Sequence, residues 1–139
     1  MRLCILLVLI ALATTVARAD VRIGNDPGGD LGTYLLKYSA LRTSGKHIVI
    51  DGRCLSACTL VLGVLPTQRI CVTPRAVFGF HATRASDAFS ATPSGWSTQT
   101  LLQMYPTPVQ RWIVSHGGLT DQMIYLAGTQ LTALYRVCH

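Results

Sequence analysis

HIVIDGRCLSA, residues 47–57, is the stretch of this 139-residue chain from which its fold can be inferred. The β-branched run Ile48, Val49 and Ile50 predicts a buried strand that ends at Gly52. A helix is expected to open at Ser56, because the apolar residues after it form a helix body before Gly63 and Pro66 stop it. Ser56 would therefore lie at the turn between a strand and a helix, with its hydroxyl exposed.

Strands and helices alternate on both sides of this stretch. Upstream, residues 21–24 form a strand candidate, and a dense turn signal follows at residues 25–29. Apolar residues then recur at helical spacing from Leu31, with Asp30 as the N-cap and Gly45 at the end. Downstream, residues 69–73 and 76–81 predict two further strands. This order of elements predicts an α/β fold with parallel pairing.

The C-terminal part has a different composition. Residues 82–97, rich in Ser, Ala, Thr, Pro and Gly, are predicted to form an exposed loop or lid. A helix is expected to begin at Thr107-Pro108 and to end at Gly117-Gly118. Residues 120–135 are predicted to be helical, with an interruption at Gly128.

The N-terminus has the organisation of a cleavable signal peptide. Arg2 precedes an apolar run of eleven residues, 3–13, which is shorter than the ~20 residues that a membrane-spanning helix needs. Ala17-Arg18-Ala19 is a small-x-small cleavage pattern. We therefore expect residues 1–19 to be a signal peptide and residues 20–139 to form one periplasmic or secreted domain; a retained N-terminal anchor is the alternative.

The charge of the chain does not favour nucleic-acid binding. Removal of Arg2 and Arg18 lowers the formal net charge from +6 to +4. The remaining basic residues are scattered singly and form no run or aromatic-interleaved patch. We expect a solvated surface and no nucleic-acid partner.

Four cysteines remain after processing: Cys54, Cys58, Cys71 and Cys138. An even number of cysteines in an oxidising compartment predicts two disulfides, for which three pairings are possible. A metal site made of Cys54, Cys58, Cys71 and His81 is the competing interpretation, but the spacing lacks the paired clusters of zinc modules. We expect no metal and no cofactor.

Three features could carry chemistry: the Pro27-Gly28-Gly29 turn, Ser56 and His81. A serine hydroxyl needs a neighbouring base before it can attack, and the carbonyl that it attacks needs backbone N–H donors for its oxyanion. Gly28 and Gly29 could supply those donors, and His81 could be the base. Each feature also has a structural interpretation: a plain turn, a helix N-cap and a histidine at a strand end.

The order and spacing of these motifs resemble the proteolytic subunit of the Clp protease. The shared set comprises Asp26-Pro27-Gly28-Gly29, the segment from Gly52 to Ser56, the strand from Arg69 to Pro74, and His81 twenty-five residues after Ser56. The Cys54-x-Ser56-Ala57-Cys58 stretch resembles a secreted, cysteine-containing branch of these proteins. The resemblance implies the Clp/crotonase spiral of β-β-α units, shortened here at the N-terminus.

The resemblance also implies a serine hydrolase, most simply a peptidase, in which Ser56 attacks and His81 moves the proton. Asp121 is the favoured third residue, and Asp87 in the loop is the alternative. Asp26 stands where serine is common in the family, and its charge would oppose an oxyanion unless the carboxylate points away.

The implied partners are a peptide or ester substrate and further copies of the chain in a homo-oligomer. No ATPase partner is expected outside the cytoplasm. The other functional class is a non-catalytic Clp-like scaffold used for oligomerisation or binding. A crotonase that acts on acyl-CoA would share the fold but would not need a serine–histidine pair.

Overall fold

The structure is a computed structural model that describes residues 20–84 and 94–139, with side chains in the second range described from Thr98 onward. The predicted signal peptide and Asp87 lie outside the described residues. The strands are β1 Val21–Ile23, β2 Ile48–Ile50, β3 Arg53–Leu55, β4 Ile70–Val72, β5 Val77–Phe80 and β6 Ile124–Ala127. The helices are α1 Leu31–Ser44, α2 Val61–Val64, α3 Ser94–Met104, α4 Thr107–Ser115 and α5 Gly128–Thr132, with short 3₁₀ helices at Ser56–Leu60 and Thr67–Arg69.

The strands form two three-stranded sheets. The first has the order β1-β2-β4 and is parallel throughout, with Val21 opposite Ile48 and Ile48 opposite Ile70. The second has the order β3-β5-β6. In it β3 and β5 are parallel, whereas β6 runs antiparallel to β5.

The chain visits the two sheets in turn, and this alternation makes the fold a spiral. β2 lies in the first sheet and β3 in the second, and β4 and β5 repeat the same step. The first turn of the spiral has β1 followed by a single bridge between Asp26 and Cys54 in place of a second strand. A helical segment follows each pass, namely α1, the 3₁₀ helix with α2, and α3. The predicted α/β spiral of β-β-α units is thus confirmed, with an abbreviated first unit.

The core lies where the strands pack with α1 and with buried residues of α3, α4 and α5. Its fully buried members include Ile48 and Ile50, from the run predicted to form a buried strand, and Ile70 of β4. Asp30 caps α1 by accepting a hydrogen bond from the Thr33 amide at 2.8 Å, and Gly45 ends the helix. Tyr38 of α1 is buried and donates its hydroxyl to the Cys58 carbonyl at 2.9 Å, which fastens α1 to the 3₁₀ helix.

The prediction of a helical segment over residues 120–135 is wrong in its first half. Residues Ile124–Ala127 form β6, in which Tyr125 is exposed and Leu126 is buried. The reason is tertiary: β5 needs a partner on its free edge, and Leu126 pairs with Phe78 to complete the core there. Only the short helix α5 follows, beginning at Gly128.

Two other local predictions need correction. Helix α3 begins at Ser94, inside the segment predicted as a loop, and continues to Met104. The helix expected at Ser56 begins as a 3₁₀ helix, and residues 53–55 before it form β3, which the sequence did not indicate. A three-residue strand is too short to show a period of two, so its pairing with β5 decides its conformation.

Four cysteines form two disulfides, Cys54–Cys58 and Cys71–Cys138. Because their sulfurs are bonded to one another, they are not available as metal ligands. The second disulfide joins the C-terminal segment to β4, where the Cys138 amide also donates to the Val72 carbonyl at 3.0 Å. Two disulfides fit an extracellular or periplasmic protein. Within the described part of the chain, no helix has the length and apolarity required to span a membrane.

Candidate active site

Ser56 and His81 lie together because the two strands that precede them are parallel neighbours. Ser56 follows β3 and His81 follows β5, and the last paired residues of these strands are Leu55 and Gly79. The carboxyl ends of parallel strands meet at one edge of the sheet. Ser56 Oγ lies 2.8 Å from His81 Nε2, which is a hydrogen-bonding distance.

The backbone at Ser56 is strained. Its φ is 54°, and no other non-glycine residue among those described has a positive φ. Such conformations cost about 1–3 kcal/mol and persist only where the surroundings enforce them. The strain places the serine at a sharp elbow between β3 and the 3₁₀ helix, with its hydroxyl directed toward His81.

The Pro-Gly-Gly turn lies directly against this elbow. Gly28 has φ 84°, and a Cβ there would be 2.5 Å from the Leu55 carbonyl oxygen and 2.7 Å from Ser56 Cβ. Both distances are shorter than van der Waals contact. Glycine is therefore required at position 28 for its conformation and for its close approach to the nucleophile.

The hydrogen bonds of His81 select one tautomer. Nδ1 lies 2.5 Å from the carbonyl oxygen of Ala82, which can only accept, so Nδ1 carries the proton. In the neutral ring Nε2 is then an acceptor, and the Ser56 hydroxyl donates to it. This is the arrangement that a general base requires. The Ala82 amide donates to the Thr120 carbonyl at 2.7 Å, which fixes the segment that carries the Ala82 carbonyl.

Asp121 is close to the histidine segment but does not contact the ring. It follows Thr120, is exposed, and borders a cleft of about 520 Å³ that His81 also borders. Within the described residues, no hydrogen bond joins the Asp121 carboxylate to His81, whose Nδ1 is engaged by Ala82.

Asp26 directs its carboxylate toward α1. Oδ1 accepts hydrogen bonds from the Tyr34 hydroxyl at 2.5 Å and from the Gly28 amide at 2.9 Å, and Oδ2 lies 3.5 Å from Lys37 Nζ. Partial burial acts to raise the pKa of Asp26, but the hydrogen bonds from Tyr34 and Gly28 and the charge of Lys37 outweigh it, and the pKa is lowered. Burial and the bond to Asp26 raise the pKa of Tyr34 to about 12. The carboxylate is therefore ionised, and its negative charge is stabilised by Tyr34, Gly28 and Lys37.

Asp26 also decides which glycine amide is available to a substrate. The Gly28 amide is engaged by Asp26, while Gly29 borders the cleft beside Ser56 and His81. The Ala57 amide belongs to the first turn of the 3₁₀ helix, where amides have no partner within the helix.

The structure is similar to the solved structures of a ClpP1 protein and of a peptidase. A mutant ClpP1 from Listeria monocytogenes aligns over 84% of this chain and 71% of its own, with a TM-score of 0.57 and 11% identity. A peptidase from Plasmodium falciparum aligns over 88% of this chain and 76% of its own, with a TM-score of 0.53 and 6% identity. The chain has a ClpP-like fold. No protein-family model and no curated protein sequence matches it.

In this ClpP-like fold two cavities border the Ser56–His81 pair. A cleft of about 390 Å³ runs from Pro27 and Gly28 past Ser56 to Arg84 and Met123. A much smaller cavity of about 10 Å³ lies behind Ser56, walled by Leu31, Ala57, Leu101 and Tyr105. Thr59 Oγ1 and the Tyr105 hydroxyl, 2.6 Å apart, form a polar pair at this cavity.

Several groups that surround Ser56 and His81 were not predicted from the sequence. The Ala82 carbonyl, the Thr120 carbonyl and the Ala57 amide are backbone groups, which leave no residue-type signal. Thr98 of α3, whose hydroxyl contacts Thr83 Oγ1 at 2.9 Å, came from a segment not predicted to be helical. Of these groups, only the Ala57 amide could have been anticipated, because the amides at the start of a helix are free to bind an anion.

Proposed function

We propose that this protein is a serine peptidase of the periplasm or the extracellular space, with Ser56 as nucleophile and His81 as general base. The observation that carries the proposal is the 2.8 Å contact between Ser56 Oγ and His81 Nε2, made by a ring whose Nδ1 is bonded to the Ala82 carbonyl. The likeness to peptidases of ClpP-like fold supports the choice of peptide bonds as substrate.

The reaction follows from this geometry. Ser56 Oγ attacks the substrate carbonyl carbon while His81 Nε2 takes the hydroxyl proton. The charge of the resulting imidazolium is stabilised at Nδ1 by the Ala82 carbonyl. His81 then returns the proton to the leaving amine, which gives an acyl-enzyme at Ser56, and water releases the acid by the same proton transfers in reverse order.

The oxyanion is stabilised by backbone amides of two elements. Gly28 and Gly29 are the sequence-based candidates, and the engagement of the Gly28 amide by Asp26 leaves the Gly29 amide as the donor from that turn. The Ala57 amide at the start of the 3₁₀ helix is the second donor. Two donors fixed before the substrate arrives stabilise developing charge without reorganisation.

A fluorophosphonate probe tests the nucleophile. We expect the folded, oxidised protein to be labelled at Ser56, with no labelling of Ser56→Ala and a fall of about a thousandfold in rate for His81→Ala. Ser39→Ala and His116→Ala are matched controls, since both residues are exposed and neither borders the two cavities beside Ser56 and His81. A wild-type protein that is not labelled, and that equals Ser56→Ala on peptide and ester substrates, would favour the scaffold alternative.

The location of the protein can be tested through its processing. Cleavage after Ala19 would give a mature chain that begins at Asp20, because the small-x-small pattern of residues 17–19 follows the apolar run. We expect the intact mass of protein recovered from the periplasm or medium to be that of residues 20–139 with two disulfides. Recovery of a chain that retains residues 1–19 would contradict the signal peptide and support a retained anchor.

A further inference from the structure

The Cys54–Cys58 disulfide encloses the nucleophile. Cys54 is in β3 and Cys58 is in the 3₁₀ helix, so Ser56 is the middle residue of a five-residue loop closed by the bridge. The two Cα atoms are 5.2 Å apart, and both cysteines are fully buried. The chain on each side of Ser56 is therefore anchored in the core within two residues of the serine.

The elbow requires such an anchor. Ser56 has φ 54°, and a serine without constraint returns to the ordinary negative range. The polar contacts around it act on the helix side: Tyr38 donates to the Cys58 carbonyl at 2.9 Å, and the Thr59 hydroxyl donates to the Ser56 carbonyl at 2.7 Å. The disulfide is the covalent link that joins this side to β3 across the serine.

The two disulfides of the chain are placed for different effects. Cross-linking lowers the entropy of the unfolded chain more when the closed loop is longer. Cys71 and Cys138 are separated by 67 residues, whereas Cys54 and Cys58 are separated by only four. The longer link stabilises the whole fold and lies on β4 of the other sheet, while the shorter link acts on the backbone of one residue.

We propose that the Cys54–Cys58 disulfide is a positioning element that holds Ser56 Oγ in line with His81 Nε2, a role that rests on the proposed function. Its loss lets the elbow relax, and the hydroxyl moves out of reach of the base. A displacement of the order of 1 Å in a catalytic group lowers the rate by about a hundredfold. Cys54 and Cys58 are thus positioning residues, which touch neither substrate nor reacting atoms.

The test compares two variants that each remove one disulfide. Because Cys54 and Cys58 are buried, the bridge is removed by substitution, not by reductant. We expect Cys54→Ala/Cys58→Ala to be labelled by the fluorophosphonate about a hundredfold more slowly at a temperature where it is fully folded. Cys71→Ala/Cys138→Ala should show the larger fall in melting temperature and yet be labelled within about threefold of the wild-type rate when folded.

A second readout does not depend on reactivity. The ¹⁵N resonances of the His81 ring report its tautomer and the hydrogen bond at Nε2. We expect the wild-type signature to be kept in Cys71→Ala/Cys138→Ala and in Ser39→Ala, and to be lost in Cys54→Ala/Cys58→Ala and in Ser56→Ala. Loss of folded structure alone would not produce this selective pattern.

The outcomes separate the two proposals. A labelled wild type with equal labelling of folded Cys54→Ala/Cys58→Ala overturns the positioning role and leaves the peptidase intact. If both disulfide variants lose labelling in proportion to their unfolded fraction, the bridge acts on stability and the positioning role is overturned. A wild type that is never labelled overturns the proposed function and the positioning role with it. If Cys54→Ala/Cys58→Ala does not fold, Cys54→Ala/Cys58→Val restores buried volume, and its failure to fold as well would overturn a chiefly positional role.

Discussion

At the scale of single residues, the site depends on one strained serine and one glycine that allows the strain. Ser56 adopts a positive φ, and Gly28 approaches it so closely that no side chain fits between them. The Ser56 elbow can form only because Gly28, which packs against it, has no Cβ. This close approach is the structural reason for glycine at position 28.

Gly28→Ala is expected to lower both stability and reactivity. The left-handed backbone costs about 1–2 kcal/mol for alanine, and forcing the Cβ against the Leu55 carbonyl adds about 1–3 kcal/mol of overpacking. Because relief requires the turn to move away from Ser56, fluorophosphonate labelling should slow even in the folded fraction. Chemical denaturation and labelling rates measure the two effects.

Gly118→Ala is the matched control for this prediction. Gly118 also has a positive φ, 77°, but a Cβ there would have no atom within 4 Å. It should show the backbone cost without the overpacking and should be labelled at the wild-type rate. Equal losses of stability in the two variants would show that the approach of Gly28 to the elbow is not tight.

The carboxylate of Asp121 offers a second test at this scale. His81 Nδ1 donates to the Ala82 carbonyl, and Asp121 is exposed. We therefore expect Asp121→Asn to change the labelling rate by less than about threefold, whereas a triad aspartate costs on the order of 10⁴. A loss of that larger size would show that Asp121 reaches His81 in the working enzyme and would establish it as the third residue.

At the scale of elements, the sequence predicted those strands and helices whose conformation is encoded locally. The run Ile48 to Ile50 and the segment after Asp30 have clear periods and caps, and β2 and α1 form where they were expected. β3 and β6 were not predicted, because each exists through its pairing with β5. Tyr125 and Leu126 are compatible with a helix by composition, and only the free edge of β5 makes them a strand.

The site, like the elements, could be predicted from the sequence only in part. Ser56 and His81 were chosen from the strand-to-helix turn, the strand end and the spacing of the motifs, but the pairing of β3 with β5 that brings their side chains to 2.8 Å was not predicted. The partner of His81 Nδ1 could not be found, since a carbonyl such as that of Ala82 is present at every residue. Its orientation depends on the hydrogen bond that the Ala82 amide donates to the carbonyl of Thr120, thirty-eight residues away in the chain, and no local sequence pattern reports this bond.

Helix α3 and α1 together set the size of the cavity behind the nucleophile. Leu101 and Leu31 both line a cavity of about 10 Å³ next to Ser56, and one water needs at least roughly 10–15 Å³. We expect substrates with glycine or alanine on the acyl side to react fastest. Leu101→Ala should extend activity to larger acyl groups, measured as kcat/KM across a series of peptide esters.

Leu36→Ala is the control for the Leu101 prediction, because Leu36 lies on α1 but is 76% exposed and does not border the cavity. Leu36→Ala should leave the preference for small acyl groups unchanged. If Leu101→Ala loses activity on small and large substrates alike, the cavity does not select the acyl group.

At the scale of the whole molecule, one carboxylate joins three parts of the spiral. Asp51 follows β2 and accepts hydrogen bonds from Arg22 of β1, from Thr73 Oγ1 at 2.8 Å and from Arg75 at 2.6 Å. Its side chain is only 8% exposed. Asp51 therefore connects β1 with the turn between β4 and β5.

Acid should destabilise the protein through Asp51. The hydrogen bond from Arg75, then that from Thr73 and that from Arg22, hold the pKa of Asp51 well below its usual range. A carboxyl whose pKa is lower in the folded state contributes stability that is complete above the unfolded pKa of about 3.9 and is lost as the pH falls toward the folded value. The free energy of unfolding should accordingly be constant from pH 7 to about 5 and fall below pH 4. In Asp51→Asn it should be lower at pH 7 and should fall less steeply, which urea titrations at each pH measure. An Asp51→Asn profile as steep as that of the wild type would place the acid sensitivity elsewhere in the chain.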